Sequence, residues 1–143
     1  MLKGISPLIS PELIKILMEM GLGNELVIAD GNFPSASVGQ RLVRADGQAI
    51  PPLLDGVLNL FPLDQYVKKS VVLMAVVAGD SYQPVIWEKY RTVIKDHEPA
   101  FLDFEYVERF AFYERARKAY AVLATGEMAL YANIILKKGV ING

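Results

Sequence analysis

This sequence predicts an α/β fold, a single domain with one mixed sheet and helices packed on it, and three observations carry that prediction. Amphipathic segments with apolar residues at helical spacing alternate with short apolar runs of strand length. The run over residues 70–78 is β-branched and apolar on both faces, as a strand inside a covered sheet must be. Neither a linker of polar, Pro/Gly/Ser-rich character nor an internal repeat interrupts the 143 residues, so residues 1–143 are expected to share one core. Pattern alone leaves the strand order open.

Ser10-Pro11-Glu12 reads as helix N-cap, first-position proline and first-turn acid. Leu13, Ile16, Leu17 and Met20 then form a buried stripe, and Gly21 is the expected C-terminal cap. Glu25-Leu26-Val27-Ile28-Ala29 is a buried strand that delivers Asp30 at its carboxyl end. Gly31-Asn32-Phe33-Pro34-Ser35 follows as a loop of turn formers. Residues 41–44 make a second short strand, closed by Ala45-Asp46-Gly47. Pro51-Pro52 starts a helix with Leu53, Leu54, Val57, Leu58 and Phe61 inward, in which Gly56 is a local cost. The strand over 70–78 is broken by Gly79-Asp80-Ser81. Residues 84–97 form an amphipathic helix packed through Ile86, Tyr90, Val93 and Ile94. A strand over 104–107 leads to a charged helix over 108–118, with Phe112, Ala116 and Ala119 inward and Glu114 set to pair with Lys118. Strands over 120–124 and 133–136 complete the sheet.

Composition removes several function classes. With no cysteine, disulfides, thiolate nucleophiles and thiolate metal sites are excluded. A lone histidine, His97, makes a histidine-rich metal site or a Ser-His-Asp triad hard to build. The net charge of -1 supplies no field for nucleic acid or an anionic membrane surface. The longest apolar run, 71–78, is too short to span a bilayer, and the first residues lack a signal-peptide core, so a cytoplasmic protein is expected. No Gly-x-Gly-x-x-Gly, Walker loop or metal-ligand cluster is present, so no cofactor and no metal are expected. Hydrophobic residues make up 52% of the chain and the mean hydropathy is +0.27. A domain this small cannot cover that much apolar surface alone, which predicts a homo-oligomer.

The chemistry is organised around residues 125–140. Read as extended chain, this stretch turns Tyr131 and Asn133 to one face and Ala132 to the other. A phenol and a carboxamide offer donors and acceptors without fixed charge, which suits a neutral polyhydroxyl ligand, although on local grounds turn and edge roles are the simpler expectation. Asp30 stands where a strand stops and a glycine-bearing loop starts, the usual ligand position in open α/β sheets. Its carboxylate matches two neighbouring hydroxyls, or caps its own loop. Arg109 at a strand-to-helix junction either aims its donor fork at ligand oxygens or pairs with Glu108, and the pair is the simpler expectation. Tyr113, Arg115, Arg117, Lys118 and Tyr120 read as a solvated helix face and its edge, Lys137-Lys138 as a solvated strand end, and His97 as a favourable helix-terminal residue.

Taken in order, these segments resemble the family of L-fucose mutarotases and D-ribose pyranases. The resemblance rests on Leu2-Lys3-Gly4-Ile5, Leu8-Ile9-Ser10-Pro11-Glu12-Leu13, Glu19-Met20-Gly21, Ala29-Asp30 with Asn32-Phe33-Pro34, and Arg44-Ala45-Asp46-Gly47. It continues through Glu108-Arg109-Phe110, Phe112-Tyr113-Glu114-Arg115-Ala116, Ala124-Thr125-Gly126-Glu127 and the run from Tyr131 to Gly139. The arginine segment and the Leu-Lys-Lys-Gly ending look like the fucose branch. The resemblance implies a ring-forming oligomer, typically a decamer, with a monosaccharide such as L-fucose bound at the subunit interface and its anomers interconverted. It places substrate binding on Asp30, Arg109, Tyr131 and Asn133. Ala132 stands where the family usually has glycine.

One departure bears on catalysis. Where the family reads Gly-His-Gly-Asp, with the histidine moving the proton, this chain reads Gly21-Leu22-Gly23-Asn24. Leucine carries no proton, so Asp30 is left as candidate base and Tyr131 or a bound water as candidate acid, which makes Asp30 and Tyr131 the expected catalytic pair. A sugar-binding ring that no longer catalyses is the alternative that Leu22 keeps open.

Overall fold

The first helix begins on the predicted cap. The Ser10 hydroxyl accepts the Leu13 amide at 3.1 Å and opens α1 (Pro11–Glu19), which buries Leu13, Ile16 and Leu17. The computed structural model describes residues 1–143 and continues with β1 (Glu25–Ala29), α2 (Ser35–Val38), β2 (Leu42–Ala45) and α3 (Ile50–Leu58). Then come β3 (Val71–Met74), α4 (Ile86–His97), β4 (Glu105–Val107), α5 (Arg109–Lys118), β5 (Ala121–Thr125) and β6 (Ile134–Lys137).

The strands form one six-stranded mixed sheet in the order β2-β5-β1-β6-β3-β4. β1, β2 and β5 run parallel to each other, β3 runs parallel to β4, and β6 lies antiparallel between β1 and β3. Alternate side chains feed two cores. Leu26, Ile28, Leu73, Leu123, Ile134 and Leu136 belong to the larger one, with apolar residues of α1, α3 and α4. Val27, Ala29, Val72, Val122 and Ile135 belong to the other, with Phe112 and Ala116 of α5. Helices therefore cover both faces, and the central strands are apolar throughout for that reason. No helix is long and apolar enough to cross a membrane.

The elements differ from the expectations in a few places, each with a local cause. Gly21 does not cap α1: Met20 leaves the helix in an extended conformation (φ -69°, ψ 137°), and the left-handed residue is Gly23 at φ 83°. The strand expected over 70–78 stops at Met74, because β4 is only three residues long and the chain leaves the sheet beyond it. Ser35, expected as the last residue of a loop, instead opens the short helix α2 (Ser35–Val38). Gly56 costs helix propensity but admits the amino-terminal segment: a Cβ there would stand 3.0 Å from the Ser6 Cβ and 3.3 Å from Ile9.

The charged helix α5 is not simply solvated. Arg115 grips Glu25 of β1 through Nε and Nη2, at 2.6 Å for the shortest contact, and Glu105 of β4 through Nη1 at 3.0 Å. Glu114 pairs with Arg117 rather than with Lys118.

Candidate functional site

The topology assembles one edge of the sheet. β1 to β5 all point their carboxyl ends the same way, and antiparallel β6 begins where they finish. Asp30 follows β1 and Asn133 precedes β6, and the pairing of Ile28 with Ile134 brings them side by side. The Asp30 amide donates to the Asn133 Oδ1 at 2.8 Å, a buried bond that ties the two. Asp30 Oδ1 accepts the Asn32 amide at 3.0 Å, so the carboxylate also orders its own turn. Burial raises the pKa of Asp30, amides from Asn32, Phe33 and Ala132 oppose that, and the charge of Glu127 adds to the rise.

Arg109 opens α5. The expected pair with Glu108 does not form, because that carboxylate caps the helix and accepts the Phe110 and Ala111 amides at 2.8 and 3.0 Å. Those amides hold Glu108 below its ordinary pKa. The Arg109 guanidinium rests 4.7 Å from the Phe110 ring centroid and lies along the same pocket as Asp30.

Tyr131 arrives by a route that the extended reading misses. Its backbone is left-handed, at φ 57°, so side-chain alternation cannot be what brings it and Asn133 to one side. Helix α4 holds the turn instead: Trp87 Nε1 donates to the Tyr131 carbonyl at 2.8 Å, and the Tyr90 hydroxyl donates to the Ala132 carbonyl at 2.6 Å. Ala132 is thereby buried, and burial pushes the Tyr90 hydroxyl far up in pKa, so that it stays a donor. The Tyr131 hydroxyl donates to Asp80 Oδ2 at 2.7 Å and accepts the Val77 amide at 3.3 Å, while the Tyr82 ring stacks on the Tyr131 ring with centroids 5.9 Å apart.

Asp30, Arg109, Tyr131 and Asn133 thus line one pocket of about 250 Å³. Asp80 and Tyr113 line it as well. A signal existed for each: Gly79-Asp80 ends the apolar run that reads as strand in the sequence, and Tyr113 lies one helical turn beyond Arg109. Phe33, Met74, Val77 and Leu130 supply apolar walls. The result combines an open cleft, a carboxylate with raised pKa, a guanidinium free of acidic partners, and neutral donors and acceptors. That set can orient a polyhydroxyl ring and move a proton at its oxygens. A neighbouring cleft of about 340 Å³ also touches Asp30, but its arginine, Arg44, is already engaged by Asp46 at 2.7 Å. Leu22 is exposed in the loop before β1, at the opposite end of that strand from Asp30. At ~3.3 Å per residue, five strand residues put it on the order of 17 Å away.

The model of the RbsD / FucU transport protein family matches residues 3–141. The chain belongs to that family. This RbsD / FucU member is 51% identical over 140 residues to the L-fucose mutarotase of Actinobacillus pleuropneumoniae serotype 5b, covering 98% of this chain and 97% of the relative. Among solved structures it is similar to the fucose mutarotase of Streptococcus pneumoniae in complex with L-fucose, at 54% identity and a TM-score of 0.92 over 99% of this chain and 100% of that one. It is also similar to FucU from Bifidobacterium longum, at 50% identity and a TM-score of 0.95 over 98% and 100%.

Proposed function

We propose that this chain is an L-fucose mutarotase that binds the free sugar through Asp30, Arg109, Tyr131 and Asn133, with Asp30 and Tyr131 as its catalytic residues. The observation that carries the reading is the convergence of those four side chains, drawn from three separate parts of the chain, on one cleft. Similarity over nearly full length to L-fucose mutarotases, one of them solved with L-fucose bound, supports the choice of sugar.

Anomer exchange by this route uses no cofactor. Asp30 takes the proton of the anomeric hydroxyl, and its raised pKa makes it a better base than an ordinary aspartate. The ring oxygen receives a proton from Tyr131 or from water admitted with the sugar, the ring bond breaks, and an aldehyde forms. Rotation about one carbon–carbon bond and closure on the other face give the second anomer. Arg109 stabilises negative charge as it develops on oxygen.

The reading includes a cytoplasmic homo-oligomeric ring, a decamer, with each site completed at a subunit interface. Exposed Met1, Leu2, Met18 and Leu22 support association, since a small domain seldom leaves so many large apolar side chains in water. One feature keeps a second reading in play: residue 22 is leucine where the family resemblance implies a proton-moving histidine, which suits a fucose-binding ring without catalysis. Saturation-transfer NMR of L-fucose decides between them. A mutarotase exchanges magnetisation between anomers faster than buffer does. A chain that binds L-fucose in calorimetry without speeding exchange is a receptor, and one that does neither overturns both readings.

A further inference from the structure

Tyr131 and Asp80 are joined in a way that sets which hydrogen bonds the phenol has left for a ligand. A tyrosine hydroxyl has one proton and two lone pairs. In this pocket the proton goes to Asp80 Oδ2 at 2.7 Å, and one lone pair takes the Val77 amide at 3.3 Å. One lone pair remains. The carboxylate is not free to turn aside, because its other oxygen, Oδ1, accepts the Tyr82 amide at 2.9 Å. The phenol is equally constrained, by the stacked Tyr82 ring and by the Trp87 bond to its own carbonyl. No lysine or arginine pairs with Asp80, so no cation competes with the phenol for its negative charge.

We propose that Asp80, at the edge of the pocket, is a positioning residue that engages the Tyr131 proton, so that Tyr131 meets the sugar as a hydrogen-bond acceptor and water supplies the ring-oxygen proton. The proposal rests on the mutarotase reading and goes beyond it by choosing between the two proton sources. The step balances. The anomeric O–H bond breaks toward Asp30, its electron pair forms the carbonyl, and the electrons of the breaking ring bond take a proton from water. The hydroxide left behind recovers the proton held by Asp30. Tyr131 keeps its proton throughout and receives a hydrogen bond from a sugar hydroxyl. Its raised pKa, from the bond to Asp80, agrees with that role. The charged groups that act on the phenol are Asp80 and, with the opposite sign, Arg109.

Asp80→Asn tests this by geometry. The carboxamide oxygen is still needed by the Tyr82 amide, so the NH₂ of the substituted side chain faces the phenol and donates to it, which leaves the Tyr131 proton unengaged. The kcat/KM for L-fucose anomer exchange is expected to fall by up to roughly tenfold, the worth of one neutral hydrogen bond between a sugar hydroxyl and the phenol. Adding Asp80→Asn to Tyr131→Phe is expected to cost nothing more, because the partner hydroxyl is already gone. Without sugar, NMR titration of ¹³C-labelled tyrosine is expected to show one resonance, the one lost in Tyr131→Phe, ionising at lower pH in Asp80→Asn. Should the amide variant fail to fold, Asp80→Ser keeps a cap for Tyr82 but cannot reach the phenol, and the same two readouts apply. An equal loss in both backgrounds, or a tyrosine titration unchanged by the substitution, overturns the proposal. If the native chain does not speed anomer exchange, the mutarotase reading falls, while the sugar-free titration still decides the direction of the Tyr131 bond.

Discussion

Asp30 holds two jobs in one carboxylate, ordering its own turn and facing the pocket, and its protonation ties activity to pH. Burial lifts its pKa above the ordinary 3.8. As a base it works only when ionised, so the acid limb of kcat/KM for anomer exchange is expected at a midpoint above that value. Stability runs the other way. The folded state binds the proton more tightly than the unfolded one, so the favourable contribution is complete below pH 3.8 and is lost as pH rises through the folded pKa. Asp30→Asn, whose amide oxygen still accepts from Asn32, is expected to lower exchange by about a hundred- to ten-thousandfold while leaving the melting temperature at neutral pH no lower than native. Unchanged exchange would remove Asp30 as the base. Asn133→Ala is the contrasting case: it strips the buried Asp30 amide of its acceptor and is expected to cost about 1–3 kcal/mol in urea unfolding, together with L-fucose affinity in calorimetry. Asp30 was legible because it follows a strand, where open α/β sheets present side chains, whereas Arg109 and Asn133 were singled out by the family resemblance, since an ion pair and an edge role were the simpler local readings. Tyr131 stands out by its chemistry, but its left-handed turn depends on Trp87 and Tyr90, more than forty residues away in sequence, and no local pattern carries that.

Among the elements, α5 shows how a weakly amphipathic segment is made secure. Its start is capped by Glu108 and its middle is clamped by Arg115 to Glu25 and Glu105, which ties the helix to β1 and to the edge strand β4. Arg115 is partly buried and the Glu25 side chain more so, so removing the arginine leaves a poorly solvated carboxylate without its partner. Arg115→Ala is expected to lower unfolding free energy by about 1–3 kcal/mol in urea, with Arg115→Lys recovering only part because a single ammonium cannot make the forked contact. A loss under a few tenths would show the clamp to be incidental. The helices were readable because their apolar spacing is local, and β1, β2 and β5 because short apolar runs bounded by turn formers leave little choice. Residues 75–78 read as strand in the sequence since apolar character reports burial, whereas strand length depends on how far the neighbour extends. The same limit hides the Arg115 clamp, whose partners come from two other strands.

For the molecule as a whole, Leu22 and the pocket lie at opposite ends of β1, so in the proposed ring this position would reach a sugar only in a neighbouring subunit's cleft. Light scattering is expected to give a multiple of the chain mass, and a monomer at micromolar concentration would break that link. Leu22→His is then expected to raise anomer exchange by about a hundredfold or more, as a placed acid–base group does. If exchange does not rise, position 22 is not where a proton carrier belongs. The α/β fold class was legible from the alternation of helical and strand-length segments, together with a doubly apolar strand and an unbroken chain. The strand order was not, because periodicity records which faces are covered and never which strand lies beside which. That order has a consequence for how the protein is made. The last strand in the chain, β6, is the sole bridge between β2-β5-β1 on one side and β3-β4 on the other. During synthesis both partial sheets leave the ribosome with an unpaired flank, and neither can be closed until residues 134–137 are out of the exit tunnel. A stalled nascent chain lacking that segment should therefore be sticky and protease-sensitive, and the sugar cleft should come into being in the same late event that seals the sheet.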